Sequence, residues 1–213
     1  NSLSALFEKT GANIDELSKA IGMDDRIGPH FLKASVGFGG SCFQKDILNL
    51  VYLCKYYGLD VVAEYWHQVV KINDYQKDRF AQKIINHFGG NLTGKQIAVL
   101  GWAFKANTND SRESASINVS EFLFNKGATL IIYDPKVEKA TIVNDIKKFW
   151  RGKINFESNR ISIVENLTDC KNCDAYVVLT DWSEFTYLST EQSKIIFDGR
   201  NINKNYNRLS IGK

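Results

Sequence analysis

The chain has 213 residues, and its 27 basic and 24 acidic side chains leave a formal net charge of +3. A balance this even lacks the concentrated positive charge that nucleic-acid binding requires, so we expect no nucleic-acid partner. No apolar run reaches the roughly 18 residues of a membrane span, and the opening NSLSALFEKT lacks the layout of a secretion signal. Four cysteines without a regular framework fit a reducing compartment, and we expect a globular, cytoplasmic protein that is not bound to a membrane.

The first part of the chain shows helical patterns. One helix is under way from the first residues without a capping pattern before it, which suggests that the chain belongs to a longer protein. Its apolar positions follow helical spacing at Leu3, Leu6 and Phe7. A second helix begins at Asn13, where Glu16 would complete a capping box, and it ends near Gly22.

Two more helices follow a loop. One starts after Ser41, ends by Gly58 and has an apolar face made of Ile47, Leu50, Val51 and Cys54. The other runs from about Val61 to Phe88, which is longer than usual in globular proteins. We expect it to form much of a twofold dimer interface through Trp66, Val69, Val70, Phe80 and Ile84. Residues 1–90 are thus predicted to form a helical domain.

The pattern changes after the two glycines at positions 89 and 90. The β-branched runs KQIAVLG, ATLIIYD, ISIVEN, DAYVVLT and KIIFDGR each fit a buried strand, and helical stretches such as residues 117–126 lie between them. Such alternation is typical of a doubly wound parallel sheet. Residues 91–213 are therefore predicted to form an α/β domain of Rossmann-like form, although no G-x-G-x-x-G follows any of its strands.

The stretch VGFGGSCFQKD raises the question of whether Cys42 is a structural thiol or a nucleophile. Ser41 and Gln44 have the spacing of a capping box, which would place Cys42 at the first position of a helix, where the dipole favours a thiolate. That interaction contributes only about 0.3–1 kcal/mol. Asp46 would oppose a thiolate, so a role in positioning water or in balancing Lys45 suits it better. The spacing alone leaves both interpretations of Cys42 open.

Three other features have simpler interpretations. Cys54 continues an apolar stripe and is predicted to lie in the core. The pair Cys170 and Cys173 precedes a strand, and the three histidines show no ligand spacing, so we expect neither a redox pair nor a metal site. Asp134 follows a predicted strand and could contact a ribose or cap the next helix.

Six motifs together resemble the UDP-glucose/GDP-mannose dehydrogenase family. They are IGMDDRIG, FLKASVGFGGSCFQKD, VVKINDYQKDRF, GWAFKANTNDSRES, IYDPKV and FDGR, which follow one another in the order expected for that family. The resemblance implies three parts, namely an NAD-binding Rossmann domain, a helical dimerisation core and a UDP-binding Rossmann-like domain, of which this chain matches the last two. It implies NAD-dependent, four-electron oxidation of UDP-glucose to UDP-glucuronate and a homo-oligomer, either a dimer or a trimer of dimers. Without the NAD-binding domain the chain alone is expected to be inactive.

The resemblance also implies roles for individual residues. Cys42 would form a thiohemiacetal and then a thioester with the substrate, and Asp46 would assist water or proton transfer. Arg26 would enter the site of the neighbouring subunit, and Arg112 would contact NAD and be unpaired without it. UDP-glucose would contact Arg26, Phe31, Leu32, Lys33, Ala34, Ser35, Val36, Gly37, Phe38, Gly39, Phe104, Lys105 and Arg200, with amides of the glycine loop binding its anionic groups. NAD would contact Cys42, Phe43, Gln44, Lys45 and Arg112.

Two alternatives remain open. Enzymes of this kind that act on GDP-mannose or on UDP-N-acetylated hexosamines typically carry Leu-Pro or Ile-Pro at the positions of Phe43 and Gln44, so UDP-glucose is the expected substrate. The chain as it stands could also be a nucleotide-sugar-binding dimerisation module without catalysis.

Overall fold

The computed structural model describes residues 1–151, 159–186, 188, 194–203 and 208–213. Its helical first part contains α1 (Ser2–Thr10), α2 (Ile14–Gly22), α3 (Phe43–Tyr56) and α4 (Asp60–His87). Two helices follow in the second part, α5 (Ala115–Asn125) and α6 (Lys139–Phe149), with 3-10 turns at Leu167–Lys171 and Ser183–Phe185. The strands are β1 (Gln96–Leu100), β2 (Thr129–Tyr133), β3 (Ile161–Val164), β4 (Ala175–Val178), β5 (Ile195–Asp198) and β6 (Arg208–Ser210).

The first two helices confirm the predicted positions but not every predicted contact. In α1 the side chains of Leu3 and Leu6 are exposed, so they do not form the inward face that their spacing predicts. The small Ser4 is buried there instead, and its hydroxyl donates to the carbonyl of Asn1 at 2.5 Å. At the start of α2 the Asn13 side chain accepts from the amide of Asp15 at 3.0 Å, so Asn13 caps the helix as predicted. The described hydrogen bonds do not include the one from the Asn13 amide to the Glu16 side chain that would complete the predicted box.

Helices α3 and α4 pack against each other around a small core. Ile47, Val51 and Cys54 of α3 are buried there with Ala63 and Val70 of α4. The prediction that Leu50 also belongs to this face is wrong, because 36% of its surface is exposed. The predicted length of α4 is confirmed, since it has 28 residues.

The sheet has six parallel strands in the order β3-β2-β1-β4-β5-β6. This is the strand order of a doubly wound Rossmann-type sheet, which confirms the predicted fold class. Sequence analysis did not predict β6, because its three residues include an arginine and a serine and show no β-branched pattern. The carboxyl ends of β1, β4 and β5 lie side by side, so the loops at residues 101–114, 179–182 and 199–201 meet at one edge.

The main hydrophobic core crosses the predicted boundary between the two parts. Phe80, Ala81, Ile84 and Ile85 from the second half of α4 are buried in the same cluster as the strand residues. Val36, from the loop before α3, also lies in this cluster and is fully buried. The division at residues 90 and 91 stays a prediction, and the structure adds that the helical part shares the core of the sheet.

Within the part of the chain that the structure describes, no helix combines the length and the apolarity needed to cross a bilayer.

Candidate active site around Cys42

The segment of residues 35–42, here called the thiol loop, connects the buried Val36 to the start of α3. Cys42 is exposed and is the N-cap residue of α3, one position before the first helical residue, Phe43. The predicted capping box is wrong, because the helix has no side-chain cap and the Gln44 amide donates to Glu113 at 3.3 Å instead. Ser41 places its hydroxyl 3.5 Å from the Cys42 sulfur. The thiol is thus presented to solvent at a helix start.

The glycines of the thiol loop are required by close packing on the α/β part. A Cβ atom on Gly39 would lie 2.4 Å from the carbonyl oxygen of Glu113, and one on Gly40 would lie 2.9 Å from the ring of Phe104. Gly40 also has a φ of +90°, which side chains disfavour. The glycines therefore let the loop lie against residues 104 and 113, beyond the carboxyl end of β1.

Two amides of the thiol loop are already used within the protein. Phe38 donates its amide to the Asn73 side chain at 2.8 Å, and Gly40 donates to the carbonyl of Arg112 at 2.8 Å. The expectation that loop amides bind the anionic groups of a ligand is therefore wrong for these two in the observed conformation. Ser35 and Gly37 form a local turn, in which the Gly37 amide donates to the Ser35 hydroxyl at 3.4 Å.

Arg112 lies beside the thiol loop and is not unpaired, contrary to the expectation. Its Nε and Nη2 donate to the two carboxylate oxygens of Asp110 at 2.9 and 2.8 Å. The hydrogen bond with Asp110 raises the pKa of Arg112, and the negative charge of a Cys42 thiolate adds a smaller increase. Arg112 is thus a cation within electrostatic reach of the thiol, and sequence analysis missed this relation because 70 positions separate the two residues.

The other residues predicted around the start of α3 are exposed or paired with neighbours. Lys45 and Asp46 form a loose ion pair at 3.9 Å with both side chains largely exposed, which matches the alternative in which Asp46 balances Lys45. Phe43 is also exposed, and its ring makes an edge contact with Phe38 at 4.6 Å between centroids.

Arg200 links three loops of the site through backbone carbonyls. Its guanidinium donates to Leu179 at 2.7 Å, to Phe104 at 2.7 Å and to Gly37 at 3.4 Å. Burial lowers the pKa of Arg200, and the charges of Asp181 and Asp198 act in the opposite direction. Arg200 thus lies at the carboxyl edge of the sheet, and three backbone carbonyls of the protein accept from its guanidinium.

The remaining predicted substrate residues divide into buried and exposed groups. Ala34 and Val36 are buried in the main core, so their side chains cannot reach a ligand. Phe31 is fully exposed and has a φ of +60°, a strained conformation for an aromatic residue. Lys33 is exposed and Leu32 is partly buried. Lys105 places its ammonium 5.4 Å from the centre of the Phe104 ring.

Arg26 is highly exposed and is held by its own neighbour in sequence. Its Nη2 lies 2.6 Å from the Asp24 carboxylate, and its Nε donates to the same side chain at 3.0 Å. The hydrogen bonds from Arg26 lower the pKa of Asp24. The described contacts of Arg26 do not bring it to the thiol loop of the same chain.

Asp134 has a structural role that neither open interpretation described. One carboxylate oxygen accepts from the amides of Trp102 and Ala103 at 2.6 and 2.9 Å and from the Trp182 indole at 3.2 Å. The other accepts from the amides of Lys136 and Val137 at 2.8 and 2.9 Å. Since α6 begins only at Lys139, Asp134 neither caps that helix nor has free oxygens for a ribose.

The paired cysteines Cys170 and Cys173 are buried. Burial raises the pKa of Cys170 to about 12, and the charges of Cys173 and Asp169 act in the same direction. Burial also raises the pKa of Cys173. Thiols that remain protonated at neutral pH are poor nucleophiles, so this pair is unsuited to redox exchange.

A doubly wound sheet whose carboxyl edge holds a loop with an exposed thiol defines a nucleotide-binding α/β protein with a candidate cysteine nucleophile. Sequence models of the UDP-glucose/GDP-mannose dehydrogenase family match the chain twice: the central domain over residues 1–75 and the UDP binding domain over residues 98–205. The chain belongs to this family.

Individual relatives agree with the family match. The chain is 49% identical to the UDP-glucose 6-dehydrogenase of Gallus gallus, across 95% of this chain and 42% of that protein. It is 46% identical to UDP-glucose 6-dehydrogenase 3 of Arabidopsis thaliana, across 95% of this chain and 46% of that protein. The structure of a UDP-glucose dehydrogenase from Pyrobaculum islandicum superposes with a TM-score of 0.80 at 28% identity, covering 99% and 46% of the two chains. The chain spans less than half the length of these curated relatives.

Proposed function

We propose that this chain provides the nucleotide-sugar site and the nucleophilic thiol for NAD-dependent oxidation of UDP-glucose to UDP-glucuronate. The observation that carries the proposal is the position of Cys42, which is exposed at the start of α3 in a loop that packs on residues 104 and 113 of the matched UDP-binding domain. Relatives with 46–49% identity are UDP-glucose 6-dehydrogenases, which favours UDP-glucose over GDP-mannose as the sugar nucleotide.

Cys42 would act on the aldehyde formed by the first two-electron oxidation of the C6 alcohol. Its thiolate adds to the carbonyl carbon, and the resulting thiohemiacetal can be oxidised once more to a thioester. Water then cleaves the thioester, which releases the carboxylic acid and regenerates the thiol. Asp46, which is largely exposed and loosely paired with Lys45, would orient water or receive a proton in these steps.

NAD, when bound, supplies a hydride acceptor for the two oxidation steps. Most of the residues predicted to contact NAD are accessible to it. The exposed ones, which could face a flat cofactor, are Cys42, Phe43, Lys45 and Arg112. Gln44 fits less well, because its side chain is already bound to Glu113. Arg112 could meet a cofactor phosphate only by sharing or leaving Asp110.

Charge neutralisation of the diphosphate would fall mainly to Lys33 and Lys105. Both are lysines that the resemblance places against the substrate, and neither is in an ion pair among the described residues. Arg200 would contribute by fixing the backbone around the ligand, since three carbonyls occupy its guanidinium.

Binding measurements test the proposal directly. Titration calorimetry should show binding of UDP-glucose and weaker binding of GDP-mannose, and UDP-glucose should slow alkylation of Cys42. Lys105→Ala should weaken UDP-glucose binding roughly tenfold or more, as expected for a lost charge-assisted contact. Lys19→Ala is the control, because Lys19 is an exposed lysine of α2.

The possible outcomes separate the alternatives. Tighter binding of GDP-mannose than of UDP-glucose would contradict UDP-glucose as the proposed substrate. Binding of UDP-glucose without any protection of Cys42 would favour a nucleotide-sugar-binding module in which the thiol has no role. Absence of binding to either sugar nucleotide would contradict the proposed function as a whole.

A further inference from the structure

The middle of α4 carries polar side chains in positions that would ordinarily be apolar. Asn73 and Gln76 are each only 1% exposed, and they lie between the buried Val70 and Phe80 on the same helix. Buried amides are costly unless they are hydrogen-bonded, so their presence in a core-facing stripe requires partners. Both find those partners on the backbone of the thiol loop.

Asn73 holds Phe38 from both sides of its peptide backbone. Its side-chain oxygen accepts from the Phe38 amide at 2.8 Å, and its side-chain nitrogen donates to the Phe38 carbonyl at 3.1 Å. Gly37 is shaped to this contact, because a Cβ atom there would lie 2.7 Å from the Asn73 side-chain oxygen. Gln76, one turn further, donates to the carbonyl of Ser35 at 2.7 Å.

A continuous set of contacts leads from the hydrogen bonds between Asn73 and Phe38 to the thiol of Cys42. The ring of Phe38 packs on the small core between α3 and α4 and makes an edge contact with the ring of Phe43. Phe43 directly follows Cys42 and is the first residue of α3. A shift of the Phe38 backbone would therefore be transmitted through the two rings to the first residue of α3.

We propose that Asn73 is a positioning residue that fixes Cys42 at the start of α3 through Phe38 and Phe43. Asn73 does not itself touch the thiol in the described contacts. Its contribution is geometric, since it holds the thiol loop in the conformation that puts Cys42 at the N-cap position of α3 and joins the Gly40 amide to the Arg112 carbonyl at 2.8 Å. The inference rests on the proposed function only in naming Cys42 as the nucleophile.

The test is the rate at which Cys42 reacts with 2,2′-dipyridyl disulfide, which needs no sugar nucleotide. The thiolate attacks one sulfur of the reagent, the reagent's S–S bond breaks, 2-thiopyridone leaves and a mixed disulfide remains on Cys42. Asn73→Asp keeps the acceptor for the Phe38 amide but, when ionised, turns the donor into a second acceptor facing the Phe38 carbonyl. At about pH 8 this variant should react roughly two- to fivefold more slowly than the unmodified chain, the range of a lost helix-end interaction.

The pH profile distinguishes positioning from a general loss of structure. A buried carboxyl facing a carbonyl has its pKa raised above the ordinary value of about 3.9, and the buried Lys77 one turn further along α4 is already paired with Asp74 at 3.4 Å. The carboxyl introduced by Asn73→Asp therefore regains a donor as the pH falls. The ratio of the Asn73→Asp rate to the unmodified rate should therefore return towards one at about pH 5. Asn86→Asp makes the same substitution at an exposed position of α4 that keeps its acceptor role toward Gln82, and its ratio should stay near one throughout.

A second variant keeps the proposal falsifiable if Asn73→Asp does not fold. Phe38→Leu removes the ring contact with Phe43 while leaving both backbone bonds to Asn73 available, and it should also slow Cys42. An unchanged or faster rate in either folded variant, or a ratio for Asn73→Asp that does not depend on pH, would overturn the inference. If UDP-glucose fails to protect Cys42 of the unmodified chain from alkylation, the proposed function is contradicted. The positioning role of Asn73 would still stand, because its test uses no sugar nucleotide.

Discussion

At the residue scale, three Asp-x-Arg sequences show how one local pattern acquires different roles. In each, the arginine amide donates to the aspartate two positions earlier, at 2.9 Å for Arg26, 2.9 Å for Arg112 and 3.0 Å for Arg200. The guanidinium groups of Arg26 and Arg112 then fold back onto the same aspartate. The guanidinium of Arg200 instead turns inwards to carbonyls of other loops, because Asp198 is buried and its second oxygen accepts from Asn203.

The exposure of the four thiols predicts an order of modification. Cys42 is exposed, whereas Cys54, Cys170 and Cys173 are buried, so iodoacetamide should label Cys42 first in the folded chain. Peptide mapping after limited labelling measures the order. Modification of Cys54 or of the Cys170 and Cys173 pair before Cys42 would show that the thiol loop does not have the described conformation in solution.

The buried thiol of Cys170 predicts a loss of stability at alkaline pH. Its pKa in the folded chain is raised to about 12 from a reference value of 9.0. Above about pH 9 the unfolded chain therefore loses a proton that the folded chain retains, so the free energy of unfolding falls as the pH rises towards 12. Cys170→Ala should flatten this alkaline decline in urea unfolding under reducing conditions.

The control for this measurement is Cys42→Ala, because Cys42 is exposed. It should leave the alkaline decline unchanged. An equal decline in the unmodified chain and in Cys170→Ala would show that other groups, such as Tyr133 with its pKa also raised to about 12, account for the effect.

At the element scale, α4 serves different parts of the molecule along its length. Val70 is buried in the small core, and Phe80 and Ile84 of the second half are buried in the main core. These three residues therefore cannot form the dimer interface that sequence analysis assigned to them. The first half of α4 leaves Val62 and Tyr65 exposed. Patches of exposed aromatic and aliphatic side chains are typical of protein interfaces, so a dimer would form through the first half of α4.

Light scattering tests this interface. The chain should be a dimer, and Tyr65→Glu should shift it towards monomer, because a charge would be buried at the contact. Tyr75→Glu is the matched control, since Tyr75 is a half-exposed tyrosine in the second half of the same helix. A monomeric unmodified chain, or equal dissociation by both variants, would contradict the predicted interface.

At the scale of the whole molecule, the two ends of the chain are joined by a polar network. Glu8 of α1 pairs with Arg79 and Lys83 of α4 at 2.8 and 3.3 Å and accepts from the amide of Gly212. Lys83 in turn donates to the carbonyl of Ser210 in β6 at 2.6 Å. The helical part and the sheet are therefore held together by ion pairs as well as by the shared core.

The 213-residue chain should bind UDP-glucose without oxidising it. A ligand that binds only the folded state stabilises it by about 2.7 kcal/mol at a hundred times its Kd, so UDP-glucose should raise the thermal midpoint. The same chain mixed with UDP-glucose and NAD should form no NADH, because its described residues form one six-stranded sheet and that sheet matches the UDP-binding domain. NADH absorbance above that of Cys42→Ala would contradict this expectation.

Local sequence patterns located most of the elements, whereas the assignment of the site residues stays a prediction. Periodicity located five strands and helices α1 to α5 to within a few residues, because apolar spacing and glycine or asparagine ends are local properties. The motif around Cys42 predicted a helix start near this residue, although the predicted capping box is absent and the exposure of the thiol became known only from the structure. The short strand β6 and the exposure of Leu3, Leu6 and Leu50 escaped prediction, since a local pattern does not reveal which face meets a partner.

Only the tertiary structure decided which distant groups meet the thiol loop. Asn73 binds Phe38 across 35 positions, and Arg200 reaches the Gly37 carbonyl across 163. The tertiary fold also showed that the loop glycines allow close packing on Phe104 and Glu113. It showed as well that the Asp134 carboxylate accepts hydrogen bonds from four backbone amides and one indole. The physical reason is that hydrogen-bond partners and steric limits depend on how α4, β1 and β5 pack together, which no single stretch of the chain encodes.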